Sequence, residues 1–153
     1  MSAAEVDEGL RAPYEIEFPF ERTVGPVVGT FLAGLREKRL FGARTERGTV
    51  VCPPPEFDPV TGKELGELVE LEPVGAVESW TWVRHRAGDP VDADFAWALI
   101  AVDGTEGTFF HALDVGGDPA RIRRGLRVRA RWAEERRGEM SDLRCFEPED
   151  DDE

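Results

Sequence analysis

Cysteine, histidine, methionine and tyrosine are scarce in this 153-residue chain, with two, two, two and one respectively, and only two of its 19 basic residues are lysines. Cys52 and Cys145 cannot build a disulfide framework, and this fits a reducing, cytoplasmic setting. No apolar run approaches the roughly 20 residues of a membrane-spanning helix, so no membrane partner is expected. The opening MSAAEVDEGLRAPYEIEF has no apolar core of the kind a secretory signal carries. Positive charge is also in deficit: 19 Lys+Arg against 32 Asp+Glu leave a formal charge of -13. Phosphate backbones favour a concentrated basic surface, so nucleic acid is not the expected partner. Missing too are a Gly-x-Ser-x-Gly elbow, a Walker loop and a His-Glu-x-x-His helix.

What is present is enough apolar mass for a core, at 41% hydrophobic residues with four Trp and nine Phe. The length suits one domain. Charge is unevenly placed. The last seven residues, from Glu147, hold six acids, whereas Arg121 to Arg137 carry eight arginines and two acids, Glu134 and Glu135. Such a basic stripe either forms a solvated strand face or receives an anionic group such as a phosphate.

Along the chain, Tyr14-Glu15-Ile16-Glu17-Phe18 alternates, and would pair as a strand or lie extended against a partner. Val27, Val28, Phe31, Leu32 and Leu35 make one helical stripe, with Arg36, Lys38 and Arg39 suited to the helix C-terminus. Leu40-Phe41-Gly42 leads to turn chemistry at Cys52-Pro53-Pro54-Pro55 and Asp58-Pro59-Val60-Thr61-Gly62. From residue 67 onward the pattern is β: 67–71, 75–83, 95–102, 108–115, 126–132 and 143–146, with a one-turn helix at 118–122. The 126–132 segment alternates apolar residues with Arg in period two, so one of its faces is buried. The fold class is mainly β, a small OB-type barrel preceded by a helix.

Chemistry is poorly served. Cys52 precedes three prolines with no His nearby and is read as an inert thiol, and Cys145 as core. Asp92 and Asp94 read as solvated loop acids rather than a dyad, which requires burial to split its pKa values. Trp80 and Trp82 share one face, as core, interface or ligand platform. No catalytic residue is assigned.

Five local patterns, taken in order, resemble the acyl-CoA-associated OB-fold family, domain of unknown function 35. Phe31-Leu32-Ala33-Gly34-Leu35 is similar to its opening helix, and Leu40-Phe41-Gly42 to the approach to a rubredoxin-like zinc ribbon. Gly75-Ala76-Val77-Glu78-Ser79-Trp80-Thr81 resembles its Gly-x-Val-x-Ser-Trp-Thr strand. Asp118-Pro119 with Arg124-Gly125-Leu126-Arg127-Val128 resembles a later turn, and Phe146-Glu147-Pro148 its closing Phe-x-Pro. The departure is at the metal. The family ribbon uses two Cys-x-x-Cys pairs, and the matching stretches here read Thr45-Glu46-Arg47-Gly48 and Asp58-Pro59-Val60-Thr61. One aspartate without thiolates cannot hold a structural zinc, so a degenerate ribbon without metal or other cofactor is expected.

The resemblance implies an accessory subunit of a thiolase-like or lipid-transfer-protein-like enzyme in a hetero-oligomer that acts on acyl-CoA. A retro-aldolase of steroid side-chain degradation is the favoured setting, and the chain is not expected to be catalytic alone. The expected divisions are an N-terminal arm (1–22), helix plus degenerate ribbon (23–66), OB-fold (67–147) and acidic tail (148–153). Arg121, Arg123 and Arg124 are candidate contacts for the CoA phosphates. Phe31, Leu35, Leu40, Phe41 and Phe57 are expected at the partner interface, because the 27–66 segment is too small to form its own core. The alternatives are a stand-alone acyl-CoA-binding module and, against the charge, an OB-fold for single-stranded nucleic acid.

Overall fold

A computed structural model describes residues 12–149, so residues 1–11 of the expected arm and 150–153 of the expected tail lie outside the described part. Elements follow in the order α1 (Pro26–Arg36), β1 (Leu40–Arg44), β2 (Val50–Val51), β3 (Leu68–Leu71), β4 (Val74–Val83), β5 (Phe95–Val102), β6 (Phe109–Leu113), β7 (Arg127–Trp132) and β8 (Leu143–Pro148). Single 3-10 turns at Pro119–Arg121 and Met140–Asp142 precede β7 and β8.

Helix α1 starts with Pro26, whose missing N–H costs nothing at a first turn. Gly25 offers no capping side chain, and the Glu56 carboxylate accepts the Val28 backbone N–H instead, at 2.8 Å. A Cβ on Gly25 would collide with that carboxylate and push it away from the Val28 N–H. Gly34 is needed for a similar reason, because a Cβ there would lie 2.7 Å from the Phe41 ring.

Strands β4, β5, β6, β8 and β7 close a barrel in that order, with β7 returning to β4. The short turn between β6 and β7 occupies the place expected for the small helix between the third and fourth barrel strands. Strand β3 is a departure from the expected β run. It pairs with β1, in a separate antiparallel sheet of order β2-β1-β3. Gly75 lies against the Ala101 carbonyl, which leaves no room for a side chain where β4 crosses β5.

One core joins these parts. Phe31 and Leu35 of α1, Leu40, Val50 and Leu71 of the small sheet, and Val77, Ile100, Phe109, Val128 and Phe146 of the barrel belong to a single buried cluster. Phe31, Leu35 and Leu40 are at most 2% exposed. Their expected place at a partner interface is therefore corrected. The helix and sheet have too little apolar mass alone, and this chain's own barrel covers them. Phe41 is half-buried beneath the Arg39 guanidinium, 4.9 Å above its ring, and Arg39 in turn makes two bonds of 2.9 and 2.8 Å to Glu70. Of the five residues, only Phe57 is largely exposed, at 55%.

Candidate functional site

Between β6 and β8 the ladder thins to one parallel pair, Leu113 with Phe146. Below that pair the strands splay, and a crevice of about 320 Å³ opens, lined by Gly88, Asp89, Pro90, Trp97, His111, Met140, Ser141, Leu143 and Arg144. Loops on both sides contribute: Gly88 to Pro90 from the β4–β5 connection, and Met140 and Ser141 from the turn before β8. Trp97 stacks on Phe110, with ring centroids 5.4 Å apart, and meets the Phe95 ring edge-on. Phe110 is 60% exposed, so an aromatic shelf continues from the crevice onto the surface.

The one ionisable group deep in the seam is His111. Its Nε2 lies 2.6 Å from the Leu143 carbonyl oxygen, which can only accept, so Nε2 carries the proton. Burial pushes the imidazole pKa below its usual value, against the opposing pull of the Leu143 carbonyl, so the ring is neutral near pH 7. At the rim Arg144 approaches Asp92 at 3.6 Å, and the Ser141 hydroxyl donates to Glu139. No nucleophile–base pair lines the crevice. The crevice is an apolar slot with one neutral imidazole, whose Nε2–H is engaged, and one cation at the edge, and it can receive a group.

Three of the eight arginines of the stripe are paired with acids of the same chain. Arg127 bonds Asp103 through both terminal nitrogens, at 2.8 and 2.6 Å, and lies near Glu149. Arg129 meets Glu147, and Arg131 bridges Asp114 and Glu147. Of the three arginines proposed for phosphates, Arg121 donates to the Val115 carbonyl at 2.9 Å. The side chains of Arg123 and Arg124 are exposed and make no hydrogen bond or ion pair among the described residues. A cleft of about 210 Å³ adjoins Arg121, but Asp114 and Glu147 share its lining and oppose an anion there.

The two stretches expected at the ribbon's ligand positions do come together, through Glu46 with Asp58 and Lys63. Asp58 is 2% exposed, and its carboxylate accepts the Val60 and Thr61 N–H groups at 2.8 and 3.2 Å and, more weakly, that of Glu46 at 3.4 Å. The N–H groups of Val60 and Thr61, with Arg47 nearby, hold its carboxyl below the usual range. The Thr45 hydroxyl is engaged with that of Thr49, and Lys63 spans to Glu46 at 2.7 Å. Among the described residues no group of three or more His, Cys, Asp and Glu could hold a metal ion. These residues do not fit zinc. A carboxylate and two hydroxyls, each hydrogen-bonded, fasten the loops where thiolates would converge.

Cys52 is 5% exposed, its Sγ donates to the Phe41 carbonyl, and burial pushes its pKa up to about 12. Cys145 is fully buried in a satellite cluster with Val91, Phe95 and Ala112, and burial raises it to about 11. Neither is a nucleophile near neutral pH. Asp94 accepts the His85 N–H at 2.9 Å while Asp92 is solvent-exposed, so these two acids form no dyad. Trp82 packs against the main core, and Trp80 is 39% exposed at the barrel surface.

Sequence reasoning missed the Trp97–Phe110 shelf. Period two within 95–102 sets Trp97 and Leu99 opposite Ala98 and Ile100, but a continuous apolar run hides that alternation. It also missed the His111 seam, because nothing local marks which strand lies across from residue 111.

Residues 68–133 match the family of the ChsH2 C-terminal OB-fold domain. Among solved structures, the chain is similar to one described as an Ltp2-ChsH2(DUF35) aldolase: 21% identity, TM-score 0.59, covering 84% of this chain and 98% of that one. It is also similar to a protein of unknown function of the DUF35 family from Sulfolobus solfataricus, with 18% identity, a TM-score of 0.54 and coverage of 69% and 78%. Comparison with curated proteins gives no match. The matched span takes in β3 to β7, and over the lengths covered the chain shares its fold with both solved structures.

Proposed function

We propose that this chain is a non-catalytic accessory subunit of a thiolase-fold, lipid-transfer-protein-like enzyme that acts on acyl-CoA esters, in the setting of a steroid side-chain retro-aldolase. The observation that carries this reading is the ChsH2-type barrel, together with a crevice that holds no catalytic set. A retro-aldol step requires a base for the β-hydroxyl and an oxyanion hole for the thioester enolate. His111 bonds only the Leu143 carbonyl, with no second acid, base or nucleophile paired to it, and both thiols are buried and protonated, which supports assigning these functions to the partner subunit. The loops of Thr45–Gly48 and Asp58–Thr61 are a ribbon remnant that works without zinc.

Co-expression of the tagged chain with the thiolase-fold subunit of the same genome tests this. Stoichiometric co-purification through size exclusion is the expected result. Elution of the two as separate species at micromolar concentration would overturn it. The second reading, a stand-alone acyl-CoA-binding module, is favoured by the unpartnered Arg123 and Arg124. It requires that the isolated chain bind CoA esters and that Arg123→Ala with Arg124→Ala abolish that binding.

A further inference from the structure

The segment before α1 has no use inside this chain. Residues 12–24 form neither helix nor strand, are exposed throughout, and make no hydrogen bond or ion pair among the described residues. Yet the segment exposes large apolar side chains: Tyr14 is 85% exposed, Phe18 75%, Phe20 74% and Ile16 57%. These four recur at every second residue, with Glu15, Glu17 and Glu21 between or beside them. In an extended chain that spacing puts the apolar four on one face, about 6.6 Å apart, and Glu15, Glu17 and Glu21 on the other.

Pro13 and Pro19 keep the segment extended. Each fixes its own φ, and each holds the residue before it, Ala12 or Phe18, in the β or polyproline region. Residues 12, 13, 18 and 19 are thereby restricted, which lowers the conformational freedom lost on docking. The root of the arm adds to the same surface. Gly25 abuts the Glu56 carboxylate, and the next residues on each side, Val24 (57% exposed) and Phe57 (55%), are uncovered, with Val60 (69%) three residues further.

We infer that residues 14–20 are a docking arm that lies extended in an apolar groove with basic flanks on the thiolase-fold subunit, with Val24, Phe57 and Val60 continuing the contact at its root. This rests on the accessory-subunit reading above. Burying the four arm side chains removes about 600 Å² from water on this side, most of the roughly 800 Å² per partner of a standard interface. The acidic edge selects for a basic rim and disfavours a second copy of this chain, whose net charge of -13 would repel it.

The test uses the full chain and the co-expressed thiolase-fold subunit. In one variant Tyr14, Ile16, Phe18 and Phe20 are all replaced by Ser, and in another Glu15, Glu17 and Glu21 by Gln. Because the arm is exposed and makes no hydrogen bond or ion pair among the described residues, both should melt like wild type. The Ser variant should weaken assembly at least 30-fold, the Gln variant should slow association and flatten its salt dependence, and amides 14–18 should become protected from exchange in the wild-type complex. Assembly of the Ser variant equal to wild type would overturn the arm and leave the accessory reading standing. No assembly by wild type would overturn both. A wild-type dimer in sedimentation, made monomeric by the Ser substitutions, would overturn the choice of partner.

Discussion

The His111 imidazole donates to the Leu143 carbonyl at 2.6 Å across a seam where β6 and β8 share a single backbone pair. One side chain thus supplies closure that the ladder does not, and it can do so while leaving a crevice beside it. Its ring is braced by edge-on contacts with Phe109 and Phe146, at 5.6 and 6.0 Å.

The burial of that ring gives stability a pH dependence with a definite sign. Burial lowers the folded-state pKa of His111, so on acidification the unfolded chain takes up the proton first. The contribution is complete above the unfolded value of about 6.5 and declines as pH falls from there to the folded value. Urea melts at pH 7.5 and 5.5 should show the loss, and His111→Gln should flatten it. His111→Phe, which leaves the Leu143 carbonyl unpaired, should cost about 1–3 kcal/mol at pH 7.5.

A second, more acidic transition should come from buried carboxylates. Asp142 is 2% exposed. Burial works against its ionised form, yet the N–H groups of Arg137, Gly138 and Glu139 hold its carboxyl below the usual range, as other N–H donors do for Asp58. For depressed carboxylates the stabilisation is present above the unfolded value of about 3.9 and is lost as pH falls through the folded values. Asp142→Ala should cost about 1–3 kcal/mol at neutral pH by orphaning its donors. Asp58→Ala should lower the melting temperature more than Asp58→Asn, which keeps an acceptor for Val60 and Thr61. Chelator should leave the wild-type melt unchanged. A chelator-sensitive melt would restore a metal to these loops.

Both thiols should stay silent in the folded chain. With pKa values near 12 and 11, Cys52 and Cys145 should react with a maleimide or iodoacetamide at pH 8 only at the rate of global unfolding, at least a hundredfold below a free thiol. Prompt labelling of either would contradict the burial assigned to it.

Phe31→Ala separates folding from assembly. Phe31 sits in the cluster that joins helix, small sheet and barrel, so truncation should destabilise the chain by about 3–5 kcal/mol. Denaturant melts of the isolated chain measure this, and no partner is needed to reveal the defect. A melt like that of wild type would return Phe31 to the surface.

How much of this was legible beforehand depended on the range of the interactions. Strand identity was, because alternation as in Leu126 to Trp132 is a local signal. The helix stripe was visible too, but an apolar stripe does not say what covers it, and Phe31 and Leu35 found the barrel of their own chain. Strand β3 looked like any other strand, and its pairing with β1 is fixed by register with residues 40–43. The arginine stripe read as open charge because its acids come from Asp103, Asp114 and Glu147, remote in sequence. Asp58 was singled out by the ribbon resemblance, but its engagement with backbone donors of two loops depends on their folded geometry, which residue types do not disclose.

The central claim is division of labour: this chain assembles with, and does not replace, a catalytic subunit. Cleavage of a β-hydroxyacyl-CoA to its aldol products tests it most directly, measured with the isolated chain, the thiolase-fold subunit alone and the reconstituted complex. Turnover is expected in the complex, none with the isolated chain, and Cys52→Ser should leave the complex within a few fold of wild type. Turnover by the isolated chain, or a loss of several hundredfold on Cys52→Ser, would contradict it.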